Sequence, residues 1–165
     1  NDRLETNVSN VWAMGEVAGS PEFTYVASDD FAIVRDNLAG GNRSTKGRIV
    51  PAVLFTDPEL ARVGLNESEA RARGIKYRIA HTSMAALLRM ITISETRGFA
   101  KTLVGEDDRI LGLTVLGAEA SEMLAAVQTA MLVGVHYSIF LNSILPQPTA
   151  MEGLADLFAN VPPKV

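Results

Sequence analysis

The pattern of apolar and polar positions changes character partway along the chain. Residues 11–14, Val-Trp-Ala-Met, form a short apolar run ended by Gly15, the pattern of a buried strand. Ser20-Pro21-Glu22 then offers a capping hydroxyl, a proline suited to the first helical position and an acid in the first turn. Phe23, Ala27, Phe31 or Asp30, Val34 and Leu38 follow at three- and four-residue steps, which predicts a helix closed by Gly40-Gly41. Residues 42–48 are polar, basic or glycine only, so they read as a linker and a domain boundary is expected there.

Beyond the boundary, strand signals dominate. Residues 50–55 form an apolar strand with Pro51 near its start, and after the turn Thr56-Asp57-Pro58-Glu59 the signal resumes over 60–65. Asn66 and Glu69 have the spacing of a capping box for a short helix that stops at Gly74. Residues 76–82 alternate as a strand, and 99–104 and 110–116 form two more, joined by the polar turn 106–109. The strongest helix signal covers 119–135, with Leu124, Val127, Met131 and Val135 on one face. A short helical piece near 137–143, a proline break at 146–149 and a last helix over 150–158 complete the chain. Helices segregated from a mostly antiparallel sheet predict an α+β layer, with the helices on one side.

Composition narrows the function classes. The 165 residues suit one domain, or one domain with a piece of another, and 47% hydrophobic residues can furnish a core. A net charge of −4 argues against an unaided nucleic-acid binder. No stretch approaches the ~18 consecutive apolar residues of a membrane span, and the N-terminus has no signal-peptide pattern. Cysteine is absent, which removes disulfides and thiol chemistry from this chain and fits a reducing, cytoplasmic setting. The opening residues read like the middle of a protein, so the chain is expected to be an excised region.

Most candidate chemistry has a structural explanation. Gly41 to Gly47 carries its lysine before the second glycine rather than after it, unlike a phosphate loop, and no G-x-G-x-x-G occurs. His81 and His136 lack carboxylates at ligand spacing, so no metal site is expected. Asp29-Asp30 and Asp107-Asp108 are adjacent pairs and read as solvated surface charge. The six Met residues read as packing groups. Three segments are more informative together: 6–16, ending in Met14-Gly15-Glu16; 55–70, with Phe55-Thr56-Asp57-Pro58, Ala61-Arg62-Val63-Gly64 and Glu67-Ser68-Glu69-Ala70; and Pro146-Gln147-Pro148-Thr149-Ala150-Met151-Glu152.

In this order and spacing they resemble the C-terminal end of the flavin-dependent pyridine nucleotide-disulfide oxidoreductases, the group of glutathione reductase, lipoamide dehydrogenase and mercuric reductase. The resemblance implies that residues 1–48 are the last strand and helix of an FAD domain plus a linker. It implies that 49–165 are the interface domain through which two subunits pair. Gly15 and Glu16 match the family's Gly-Asp at the FAD ribityl chain, with glutamate as a departure. Thr24 matches a helix N-terminus near the flavin ring. The family's histidine and glutamate pair, which serves the partner subunit's thiolate, falls on Gln147 and Glu152. An amide cannot act as a general base, so dithiol chemistry is in doubt even for the parent.

The resemblance thus implies a parent that binds FAD, uses NAD(P)H and acts as a homodimer on a small-molecule, disulfide or metal-ion substrate in cell redox homeostasis. No nucleic-acid or membrane partner is expected, and the chain alone is expected to be inert. Two alternatives stay open at this point. One is a stand-alone α+β binding or assembly module sharing the fold; the other is a parent without disulfide chemistry, because Gln147 replaces the histidine.

Overall fold

A computed structural model describes residues 1–164. Its longest helix, α1 (Thr24–Leu38), belongs to the first of two compact units, Asn1–Val50; the second begins at Pro51. The helix starts at Thr24 rather than at Pro21, and no side chain caps it. Ser20, expected as the cap, accepts a hydrogen bond from Arg48 Nη2 at 3.2 Å instead. The face of α1 that is buried is Val26, Asp30 and Ile33, whereas Phe31 and Leu38 are exposed. The register of the expected apolar stripe is therefore off by about one residue, because a paired carboxylate occupies the middle of the true one.

The strand expected over 11–14 is reduced to one antiparallel bridge between Glu5 and Trp12. Thr6 N–H donates to Val11 O and Ala13 N–H to Leu4 O, both at 3.0 Å. Leu4 and Asn10 adopt positive φ at either side of this contact, which turns the backbone away before a longer ladder can form. A 3-10 turn over Gly15–Ala18 follows. The supposed linker is tied down: Arg43 and Arg48 both reach Asp29, at 3.1 and 3.3 Å, and Arg48 reaches Asp30 as well.

In the second unit five strands make one antiparallel sheet: β1 (Ala52–Leu54), β2 (Leu60–Gly64), β3 (Tyr77–Ser83), β4 (Phe99–Gly105) and β5 (Ile110–Leu116). Their spatial order is β1-β2-β5-β4-β3, so β5 is central. The intervening and following helices are α2 (Glu67–Ala72), α3 (Leu88–Thr92), α4 (Ala120–Val133), α5 (Ile139–Asn142) and α6 (Glu152–Ala159). The arrangement is α+β, as the pattern predicts, but α2 lies on the face opposite α4 and α6, so the helices are not all on one side. The capping box of α2 is present, with Asn66 and Glu69 exchanging 2.8 Å hydrogen bonds between side chain and backbone. The β4–β5 hairpin also forms, closed by Gly105 N–H on Arg109 O at 2.9 Å. Its turn holds a surprise: Asp108 takes ion pairs from Arg78 and Lys164, so it is not merely solvated charge.

Cross-strand register sorts the side chains by face. Val63 opposes Leu113, which opposes Thr102; Ala61 opposes Val115, which opposes Ala100. All six are buried, and Thr102 satisfies its hydroxyl on Gly112 O at 3.0 Å. α4 packs on β2 and β5, while α6 packs on β3 and β4. Buried Met123, Leu124 and Val127 of α4 and Leu154, Leu157 and Phe158 of α6 supply the helical half of the core. The other face carries Arg62, Thr114 and Lys101 in one cross-strand row, and α2 binds there through Glu69 to Arg62 at 2.6 Å and Glu67 to Lys101 at 2.7 Å.

Gly112 lies where β5 meets the backbone just after β2. A Cβ there would run into the Leu65 carbonyl and amide, while Leu65 N–H donates to Leu111 O at 2.8 Å. Gly112→Ala should therefore lower stability by about 1–3 kcal/mol in urea unfolding, although alanine is ordinarily the better residue inside a strand. Unchanged stability would mean that the end of β2 can move aside without loss.

Candidate functional site

Three of the residues singled out for a ligand come together in the first unit. Gly15, Glu16 and Thr24 line one hollow of about 310 Å³, with Pro21, Glu22, Phe23 and Ala27 completing the wall. Gly15 opens the 3-10 turn at φ +70°, a conformation that favours glycine. Its missing side chain leaves the backbone accessible, and Glu16 beside it is exposed. Across the hollow lies the N-terminal end of α1, fifteen residues long and without a side-chain cap. An exposed carboxylate can accept hydrogen bonds from hydroxyls, and a helix N-terminus favours negative charge. The donor set therefore fits a polyol stretch next to an electron-rich group, as in a flavin nucleotide.

What fixes this turn is a residue that sequence reading placed on the surface. Asp30 is 0% exposed, and its Oδ2 accepts from the Gly15 N–H at 2.8 Å while Oδ1 accepts from Arg48 Nη1 at 2.6 Å. The available signal was positional: 26, 30 and 33 have the spacing of one helix face, and a carboxylate on an apolar face implies a partner. Burial alone would raise the Asp30 carboxyl, but hydrogen bonds from Ser20, Arg48 and the Gly15 amide, with the charge of Arg48, outweigh it. The net effect holds Asp30 below the usual aspartate value.

The second pair, Gln147 and Glu152, lies in the second unit. Gln147 is exposed before a cis peptide to Pro148, and Glu152 is half-buried at the start of α6. Thr149, rather than either of them, carries the local hydrogen bonds. Its Oγ1 donates to Pro146 O at 2.8 Å and accepts from the N–H of Glu152, the first residue of α6, at 3.1 Å. His81 lies in β3 stacked on Phe99, and His136 forms a lone bridge with Arg109. Among the described residues no cluster of three or more His, Cys, Asp or Glu could hold a metal, and no helix is long and apolar enough to cross a membrane.

Comparison with known proteins places this architecture. Residues 50–158 match the family model described as "Pyridine nucleotide-disulphide oxidoreductase, dimerisation domain". The chain belongs to that family. It is 41% identical over 162 residues to the probable pyridine nucleotide-disulfide oxidoreductase RclA of Escherichia coli, covering 96% of this chain and 37% of that protein. A dihydrolipoyl dehydrogenase of Thermus scotoductus is 35% identical, with 94% of this chain and 34% of the relative covered. A mercuric reductase of Lysinibacillus sphaericus is 32% identical, with 93% and 29% covered. The chain thus spans about a third of the length of these relatives. Among solved structures, the HOCl-induced flavoprotein disulfide reductase RclA from Escherichia coli superposes with a TM-score of 0.91 at 40% identity, covering 96% of this chain and 37% of that one.

The Asp30 pair gives a pH dependence with a definite sign. Its folded pKa is depressed, so its stabilisation is present above the ordinary aspartate pKa of about 3.9 and is lost as pH falls through the lower folded value. Asp30→Asn should cost roughly 2–4 kcal/mol at pH 7, and the gap from wild type should narrow as pH falls below the ordinary aspartate pKa of about 3.9. Trp12, the single tryptophan, lies in this unit and reports its unfolding by fluorescence. A gap that stays constant with pH would contradict the buried ion pair.

Proposed function

We propose that this chain is the C-terminal region of a cytoplasmic, flavin-dependent NAD(P)H oxidoreductase and that its second unit pairs two subunits. Residues 1–48 would then be the end of the FAD domain with its linker, and 49–165 the interface domain. The observation that carries the reading is apolar surface within the family-matched unit. Leu132 and Val133 at the end of α4, Ile139 and Leu141 of α5, Ile144 and Met151 are all exposed, and Ile144 has no cover at all. The inward residue of α5, Phe140, stacks on Phe158 at 5.0 Å, so the helix has its own core contact and still turns Ile139 and Leu141 outward. Apolar surface of this kind resembles one half of a subunit interface.

In this reading, Glu16 accepts from the ribityl hydroxyls of FAD, with the Gly15 backbone alongside, and the start of α1 at Thr24 lies near the flavin ring. The bound flavin would supply electron transfer between NAD(P)H and the substrate. Gln147 and Glu152 would face the flavin site of the partner subunit and help to complete it. Gln147 supports a narrower version: its amide can orient a substrate through hydrogen bonds but cannot take a proton near neutral pH. Gln147 therefore gives no support to dithiol chemistry of the glutathione-reductase kind at this position.

Light scattering across a concentration series tests the pairing. The chain should remain a dimer at low micromolar concentration, and Val133→Asp should shift it to monomer by placing a charge in the apolar contact. A wild-type chain that is monomeric throughout would favour a stand-alone α+β module.

A further inference from the structure

The first unit buries a charge where packing alone would call for an apolar residue. Val26 and Ile33, its neighbours on the same face of α1, are 3% and 1% exposed, and both are aliphatic. A carboxylate between them costs desolvation that a leucine would avoid. Its bonds explain the exception. One oxygen of Asp30 holds the amide that begins the Gly15–Ala18 turn, and the other holds Arg48, thirty-three residues further along, whose second nitrogen bonds Ser20 Oγ just after the turn. Both ends of the six-residue stretch from Gly15 to Ser20 are thereby tied to one buried group, the first directly and the second through Arg48. Between them stands Glu16, on the wall of the 310 Å³ hollow.

We propose that Asp30 is a positioning residue: with Arg48 it sets the Gly15–Glu16 backbone so that the Glu16 carboxylate meets the polyol chain of a flavin nucleotide. This rests on the flavin reading of the hollow given above. Asp30 itself does not line the hollow and acts through the turn. A freely hinged turn would have to be ordered on binding, and Asp30 removes that cost beforehand.

The test uses the full-length flavoprotein carrying this chain for FAD affinity, and the 165-residue chain for amide exchange at Gly15 by NMR. Asp30→Ala should speed Gly15 exchange and weaken FAD binding by roughly tenfold. Asp30→Asn keeps the shape and one acceptor but loses the charge, so it should fall between Asp30→Ala and wild type in both readouts; it carries the test if Asp30→Ala does not fold. Ile33→Ala, on the same buried face of α1 but without a bond to the turn, controls for loss of stability in this unit and should weaken FAD binding less than Asp30→Ala. Equal loss of FAD in Ile33→Ala and the Asp30 variants would overturn the positioning role. So would unchanged FAD affinity in the Asp30 variants while Glu16→Ala weakens it. If Glu16→Ala and the Asp30 variants all bind FAD as wild type does, the flavin reading itself falls, and this proposal with it.

Discussion

The backbone of Leu65 lies so close to Gly112 that no side chain fits between them, and this contact sets the central strand of the sheet against its neighbour. From that register the rest of the second unit follows. It puts Val63, Leu113 and Thr102 on one line and Ala61, Val115 and Ala100 on the next, giving an apolar face that α4 and α6 close. The alternate positions, Arg62, Thr114 and Lys101, then necessarily face the other way, where α2 meets them through carboxylates. A slip of one residue would send the aliphatic set to the polar side and the charges into the core. Once the sheet face is used, the end of α4 and the outer side of α5 have no partner within the unit, and their apolar residues remain exposed.

The first unit is held on different terms. It has one helix, one bridge and a turn, with few aliphatic contacts to order them. A buried carboxylate and an arginine take over part of that work, linking segments that are fifteen and eighteen residues apart in sequence. Such a link is directional in a way that aliphatic packing is not: it fixes particular backbone atoms, here the Gly15 amide. That distinction separates a unit built to bury area from one built to hold a turn.

Much of the second unit was legible because its signals are local. The capping box at Asn66 and Glu69, the polar turn between β4 and β5 and the periodicity of α4 each lie within a short window. What was not legible depends on partners far away. Asp30 reads as surface charge until Arg48 and Gly15 are seen beside it, and the face of α1 was misplaced for the same reason. The run 11–14 looks like a strand by composition, but a strand is defined by its ladder, and here the ladder is one bridge long. The segment with α3 gave no pattern, because Met84, Leu87 and Met90 are buried from short, irregular turns rather than from a sustained period. Of the candidate residues, Gly15, Glu16 and Thr24 were named through the resemblance and not through spacing, and they line one hollow.

Pairing through the surface left uncovered by the helical layer is the central claim, and hydrogen–deuterium exchange of the wild type beside the Val133→Asp variant tests it most directly. Amides in residues 134–144 should exchange more slowly in the wild type than in the variant, while those of β4 and β5, already buried within one chain, should not differ. Equal exchange of residues 134–144 in the two, or protection of the wild type confined elsewhere, would contradict the account.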